Sequence, residues 1–356
     1  MDKTIYDCVI VGGGISGLSF AHYLKKAKKN VLIVEKNDRI GGQIQTGYSS
    51  HNSDYWFELG SHTCYNSYTN FLSIVKETGN EELIEPLLKH SYVLYSSGKI
   101  KSLFSEVSKL SMFFHCFRYF FSDKTGKTTR EYFQPIVGKK NYNKLFRNAF
   151  KAVICQPADD YPAEIFLKKR KERCEELPRR VTFKGGLSSI LNAIVEKENI
   201  EVQLSSEITN IQKNQDVFTI EAKDGKTFQT RNIAFAVNPQ ISSSLIKDIE
   251  GELAELLSTI PLFHSESLNV VISKEKINLK EIAGIISLSD DFLSAVSRDL
   301  VGNKELRSFT FHFEKGKKNG DEKLELICKV LSISPSDIIE QTYTEHTLPA
   351  MRLKHL

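Results

Sequence analysis

Three short stretches near the start of this chain hold residues whose types and spacing could do chemistry. The first is Gly12-Gly13-Gly14-Ile15-Ser16-Gly17, a G-x-G-x-x-G run. In such a run the first glycine permits a tight turn. The second lets a pyrophosphate approach the backbone, and the third lets a helix pack on a strand. The second stretch ends in Glu35, 18 positions after Gly17, where a carboxylate can accept two hydrogen bonds from an adenosine ribose. The third is Glu58-Leu59-Gly60-Ser61-His62-Thr63, with a histidine whose proton exchange lies closest to neutral pH.

These residues need elements to hold them. Tyr6-Asp7-Cys8-Val9-Ile10-Val11 reads as a buried strand, and Leu18, Ala21 and Leu24 share one helical face. Val31-Leu32-Ile33-Val34 is a second buried strand that delivers Glu35. Strand, glycine turn, helix, strand and acid form one βαβ unit, whose helix N-terminus offers N–H groups and a partial positive charge to phosphates. A glycine turn that binds nothing would also satisfy the pattern, and the fingerprint does not choose between NAD and FAD.

The segment Glu35-Lys36-Asn37-Asp38-Arg39-Ile40-Gly41-Gly42-Gln43-Ile44-Gln45-Thr46 resembles the second glycine motif of the FAD-dependent amine oxidase superfamily, and the chain as a whole is most similar to the protoporphyrinogen oxidases within it. Where that motif ends in arginine, this chain has Gln43, which keeps hydrogen bonding and loses the charge-assisted, two-pronged contact. The resemblance implies FAD as cofactor. It assigns cofactor binding to Gly12, Gly13, Gly14, Ser16, Gly17, Glu35, Lys36, Gly41, Gly42, Gln43, Gly60 and Ser61, and a backbone contact at the adenine end to Ile208. His62 would lie near the flavin ring as the candidate catalytic residue; the alternative is a histidine that only holds its loop. No metal site is expected.

Further along, Phe183-Lys184-Gly185-Gly186-Leu187 opens a helix. Val202-Gln203-Leu204 and Ile208-Thr209-Asn210-Ile211 follow as strands, then a hairpin turning at Asp224-Gly225, and a strand at Ile233–Val237 stopped by Asn238-Pro239. This order resembles the superfamily's return to its FAD domain. Alternating segments after 241, then an amphipathic helix through Leu324, Ile327, Cys328 and Leu331, suggest a substrate domain. The expected fold is α/β: a Rossmann-type FAD-binding domain built from discontinuous segments, plus an α+β substrate domain with a helical, aromatic-rich insert. Expected boundaries are 1–75 and 181–240 for the FAD domain, 76–180 for the helical region, and 241–342 for the substrate sheet and helix. Residues 343–356 would start a return to the FAD domain. Full members continue into a glycine-rich strand–turn–helix that closes that domain, whereas this sequence ends just after Leu348-Pro349. The expectation is therefore an incompletely enclosed flavin and weak FAD affinity.

Residues 104–121 hold six Phe and one Tyr. They are too few and too charged to span a bilayer. Aromatic clusters are usually core, which favours a core helix; a helix lying on a membrane surface or at the mouth of a lipophilic pocket is the alternative. Basic runs at 139–147 and 168–180 read as solvated helix faces, or as attraction to an anionic surface.

Composition sets the outer limits. The 356 residues, 40% hydrophobic and 26% charged, suffice for about two folded domains. A net charge of +4 argues against a nucleic-acid partner. The six cysteines are scattered without zinc spacing, and no apolar run is long enough for a membrane span. A cytoplasmic protein, soluble or held at a surface, is expected, with a lipophilic small molecule as substrate. The expected reaction is hydride removal from that substrate onto flavin N5, with oxygen or another acceptor reoxidising the flavin. Three other readings remain: a related enzyme acting on an amine or polyene, a nicotinamide-dependent dehydrogenase, and a catalytically impaired flavin-fold protein.

Overall fold

The computed structural model describes residues 4–289 and 291–356. They fall into two compact units. The first comprises the chain up to Thr46, Gly60–Pro86 and Lys171–Ile260; the second comprises Gly47–Leu59, Leu87–Arg170 and Pro261–Leu356.

The first unit is built on a parallel four-stranded sheet in the order Glu201–Gln203, Val31–Val34, Cys8–Val11, Ile233–Phe235. Side chains alternate across a strand, and the two faces bury different partners. Val9, Val11, Leu32 and Val34 pack against a second sheet formed by Ile208–Asn214, Val217–Ala222, Thr227–Thr230 and Ile5–Tyr6. Cys8, Ile10, Val31 and Ile33 pack against Leu18 and Ala21 of the helix Ile15–Lys26 and Leu191 of the helix Leu187–Glu198. Both faces are covered, so these strands read as near-continuous apolar runs.

The second unit holds a seven-stranded sheet in the order Ile338–Pro349, Leu262–Ser273, Leu306–Glu314, Ser294–Ser297, Gly284–Ser287, Tyr92–Ser96, Lys99–Ser102. Leu268, Val270, Phe309, Phe311 and Phe313 on one face bury Ile327 and Leu331 of the helix Gly320–Leu331. A separate helical core gathers Tyr132, Ile136, Tyr142, Phe150 and Phe166.

The structure departs from the expected boundaries in several places; residues 76–86 and 171–180, expected in the helical region, belong to the first unit. Residues 47–59 belong to the second unit, where Tyr55, Phe57 and Leu59 pack on Val271. Residues 241–260 belong to the first, as the helices Pro239–Ile246 and Gly251–Ser258. Residues 343–349, expected to begin a return, are instead part of the strand Ile338–Pro349, paired along its length with Leu262–Ser273 in the second unit.

The aromatic stretch is the clearest correction. The expectation of a core helix at 104–121 fails. Phe104, Phe113, Phe114, Phe117, Tyr119, Phe120 and Phe121 are all exposed, Phe121 by 91%. The helix there lasts only from Lys109 to His115 and tightens into a 3₁₀ turn at Cys116–Phe121. The rings therefore fan over more than one face, and no single apolar stripe exists to bury.

Candidate functional site

The glycine turn can be read from what a side chain would meet there. Gly12 sits at φ +107°, and a Cβ would lie 2.6 Å from the Ala236 carbonyl oxygen. At Gly17 a Cβ would lie 2.1 Å from the Gly12 carbonyl oxygen. These two glycines are demanded by the fold's own packing. Gly14 differs. It caps the helix Ile15–Lys26 at an ordinary φ of −73°, and a Cβ would meet nothing nearer than Gly42 Cα, 3.9 Å away. A Cβ there would make only an ordinary van der Waals contact, so the protein's own packing does not require a glycine at that position. The helix start has no side-chain cap and no acid in its first turn, while Lys25 and Lys26 stand in the last turn.

A second glycine segment runs alongside. The Gly41 N–H donates to the Gly13 carbonyl at 2.8 Å, and Gly14 and Gly41 form a parallel bridge. Gly42 takes φ +57°, with its own Cβ position 3.3 Å from Gly14 Cα. Two glycine backbones thus face each other at the head of a helix, with no β-carbons between them. Arg39 holds this loop in shape. Its guanidinium donates to the carbonyls of Ile40, Gly42 and Ile44 and to Gln45 Oε1, all within 3.2 Å.

Glu35 is buried at the end of its strand. Its Oε2 accepts from the Gly13 N–H at 2.7 Å, and its Oε1 accepts from the Asn37 N–H and Asn37 Nδ2 at 2.9 and 2.7 Å. A carboxylate offers about four acceptor directions, so about one remains for a ligand hydroxyl rather than two. The Ser206 N–H donates to the Glu35 carbonyl, which brings the start of the strand Ile208–Asn214 to the same end of the sheet. Ile208 itself is buried, and Lys36 and Ser16 are exposed.

The third stretch joins through the main chain. The Ser61 N–H donates to the Gln43 carbonyl at 3.0 Å. Thr46 and Ser188 exchange two hydrogen bonds of 3.0 Å, each backbone N–H donating to the other's hydroxyl. His62 Nδ1 lies 2.9 Å from Thr63 Oγ1. Desolvation by the surrounding packing, with the Arg180 guanidinium adding to it, pushes the imidazole down from 6.5 to about 4. The ring is therefore neutral at pH 7, a weak base that can accept a hydrogen bond.

All the expected site residues lie in the first unit. Hydrogen bonds and backbone contacts tie Gly13, Gly14, Glu35, Gly41 and Gly42 into one group; Gln43, next to Gly42, pairs with Ser61, and Gly60 and His62 flank Ser61 in sequence. Sequence reasoning gave no role to Asn37, Ser188 or Ser206. A separate cleft of about 170 Å³ in the second unit, lined among others by Arg147, Lys151, Asp159, Asp291 and Phe292, includes none of the expected residues. Also in the second unit, Ser267 Oγ lies 2.8 Å from His312 Nδ1 and 3.0 Å from His346 Nε2, a buried polar chain across three strands. No group of His, Cys, Asp and Glu suited to a metal ion occurs among the described residues.

Two family models match the chain. An NAD(P)-binding Rossmann-like domain matches residues 10–78, and flavin containing amine oxidoreductase matches residues 116–274. A probable flavin-containing monoamine oxidase A of Dictyostelium discoideum is 48% identical over 58 residues, covering 16% of this chain and 12% of that protein. The flavin-containing amine oxidase A of Canis lupus familiaris is 22% identical over 296 residues, covering 72% of this chain and 55% of that protein. The chain thus spans about half the length, or less, of the curated relatives it matches. Among solved structures, a protein of Exiguobacterium sp. 255-15, provisionally assigned as a protoporphyrinogen oxidase, superposes with a TM-score of 0.77 at 12% identity. The match covers 99% of this chain and 89% of that one. At that identity the likeness is one of fold.

Proposed function

We propose that this chain, which the flavin containing amine oxidoreductase model matches over residues 116–274, is an FAD-dependent oxidoreductase that removes hydride from a lipophilic small molecule. The observation that carries the reading is Gly14. It is a glycine that the protein's own packing does not need, open at an uncapped helix start and faced by the glycine pair Gly41-Gly42. A dinucleotide pyrophosphate would lie over this bare backbone, because no β-carbon stands in its way and the helix terminus favours anions.

FAD, when bound, supplies the hydride acceptor. The remaining tasks fall to the chain's own residues. Gly14 and Gly42 admit the pyrophosphate to the backbone. Glu35, held by Gly13 and Asn37, accepts from a ribose hydroxyl. Arg39 keeps the loop 40–45 in the shape that presents Gly42. Gln43 and Ser61, joined through the main chain, bring the second and third stretches side by side. His62, neutral and within hydrogen-bond distance of Thr63, is the candidate to accept a hydrogen bond from substrate.

The resemblance to protoporphyrinogen oxidases supports a large, flat, lipophilic substrate. The family-model match over 116–274 supports an amine as the second reading. The test is spectroscopic. Protein reconstituted with FAD should show a bound flavin spectrum and bleach without air when the right substrate is added. Panels of porphyrinogens, amines and polyenes then separate the substrate classes. A preparation that stays colourless with added FAD would refute the proposal.

A further inference from the structure

The buried polar chain of the second unit is remote in sequence from the glycine stretches, yet its hydrogen bonds lead toward the third of them. Its members share one face of the seven-stranded sheet. Ser267 stands opposite His312, and Asn269 opposite Thr310, in the register of Leu262–Ser273 with Leu306–Glu314. His346 comes from Ile338–Pro349, the neighbour on the other side. All five side chains are buried. The opposite face of the same strands is filled by Leu268, Val270, Phe309 and Phe311. Apolar side chains can therefore fill this sheet, and polar ones cost free energy when buried unless each finds a partner.

The partners form two lines of hydrogen bonds. Asn269 Nδ2 donates to Thr310 Oγ1 at 2.8 Å, and Thr310 Oγ1 donates to the Glu58 carbonyl at 2.7 Å. His346 Nε2 lies 3.0 Å from the Leu59 carbonyl and 3.0 Å from Ser267 Oγ. A carbonyl only accepts, so His346 Nε2 carries a proton and donates it. Ser267 then accepts from His346 and donates to His312 Nδ1, 2.8 Å away. Both lines end on main-chain carbonyls of consecutive residues, and the chain continues directly into Gly60-Ser61-His62. The peptide joining Leu59 to Gly60 is planar and trans, so its N–H points opposite to the held carbonyl. That Gly60 N–H is half-buried and has no hydrogen-bond partner among the described residues.

We propose, on the reading that this chain binds FAD, that Thr310 and His346 are positioning residues, braced by Asn269, Ser267 and His312. By fixing the Glu58 and Leu59 carbonyls they set the direction of the Gly60 N–H, which serves as a fixed donor to the flavin half of the cofactor. A sheet face that had only to be covered would not need five buried polar groups converging on two adjacent carbonyls.

The test compares paired variants. Thr310→Val and His346→Leu remove the donors, whereas Thr310→Ser and His346→Gln keep one. Thr310→Val also keeps the shape of threonine, so it disturbs packing least. In the apo-protein, amide hydrogen exchange of residues 56–61 should quicken about tenfold in the first pair and stay near wild type in the second. FAD affinity, read by flavin fluorescence, should fall about three- to tenfold in the first pair and recover in the second. ADP, which carries only the half of the cofactor assigned to Gly14 and Glu35, should bind all four variants like the wild type in calorimetry. Unchanged exchange at 56–61, equal losses of ADP and FAD, or no recovery with Ser and Gln would overturn the proposal. If the wild-type chain takes up no FAD, the proposed function fails and the flavin as ligand falls with it; the exchange measurement still decides whether Thr310 and His346 hold the stretch.

Discussion

Replacing Gly14 and Gly17 by alanine, one at a time, separates ligand space from packing space within a single turn. At Gly17 the new Cβ would lie 2.1 Å from the Gly12 carbonyl oxygen. Ordinary carbon–oxygen contacts are more than 1 Å longer, so helix or turn must move. Overpacking of this kind costs about 3 kcal/mol or more, which corresponds to a drop of about 6–12 °C in melting temperature for a unit of this size. At Gly14 the new Cβ would meet nothing within 3.8 Å, and φ is already −73°. The penalty is then that of a poorer helix cap, about 0.5–1 kcal/mol, or about 2 °C. The methyl group would, however, stand where a pyrophosphate has to come. FAD affinity should fall at least about tenfold, or about 1.4 kcal/mol. Two measurements decide the matter: apo-protein melting by circular dichroism, and FAD titration followed by flavin fluorescence. Gly14→Ala should keep its melting temperature and lose FAD, and Gly17→Ala should lose both. If Gly14→Ala binds FAD like the wild type, the space beside Gly14 is not a pyrophosphate site and the reasoning is refuted.

Other expectations concern the same scaffold. Arg39→Ala removes four hydrogen bonds from the loop 40–45; it should weaken FAD binding and open that loop to limited proteolysis, while an unchanged digestion pattern would count against the staple. Because His62 titrates near 4 in the folded protein against 6.5 when unfolded, its contribution to stability is complete above about pH 6.5 and is lost as pH falls toward 4; the variant His62→Gln should show a shallower loss of stability over that window in urea melts. The Arg307–Asp299 pair is buried, with Arg307 Nε 2.9 Å from Asp299 Oδ1; Asp299→Ala leaves a buried guanidinium uncompensated and should cost about 3–5 kcal/mol in denaturant unfolding. Swapping Glu35 for Gln should weaken FAD binding with only modest loss of stability, because the amide oxygen still accepts from one of the N–H groups that hold the carboxylate.

Much of the first unit was legible because its signals are local. A parallel strand covered on both faces is written as a continuous apolar run, and the glycine turn and acid fall within one βαβ unit of chain. The turn and packing at Gly12 and Gly17, the place of Glu35 at its strand end and the turn at Asp224-Gly225 follow from such local patterns, whereas Gly41 and Gly42 drew attention only through the family resemblance. The residues that hold the site in shape were not legible. Asn37 and Arg39 act through hydrogen bonds whose geometry appears only once the loop has closed. Ser188 meets Thr46 across 142 positions of sequence. The polar chain of Ser267, His312 and His346 assembles from three strands whose pairing no local pattern encodes.

The aromatic stretch marks the dividing line. Sequence by itself determined that residues 104–121 are rich in Phe and set in a basic region, and that Gly12, Gly14 and Gly17 recur at the spacing of a phosphate turn. It left open whether the rings are inside or outside. Burial depends on what lies opposite a side chain, and that is set by contacts between distant parts of the chain. Only the tertiary structure placed Ala236 against Gly12 and Gly12 against Gly17, set Gly42 beside Gly14, and turned Phe120 and Phe121 toward solvent.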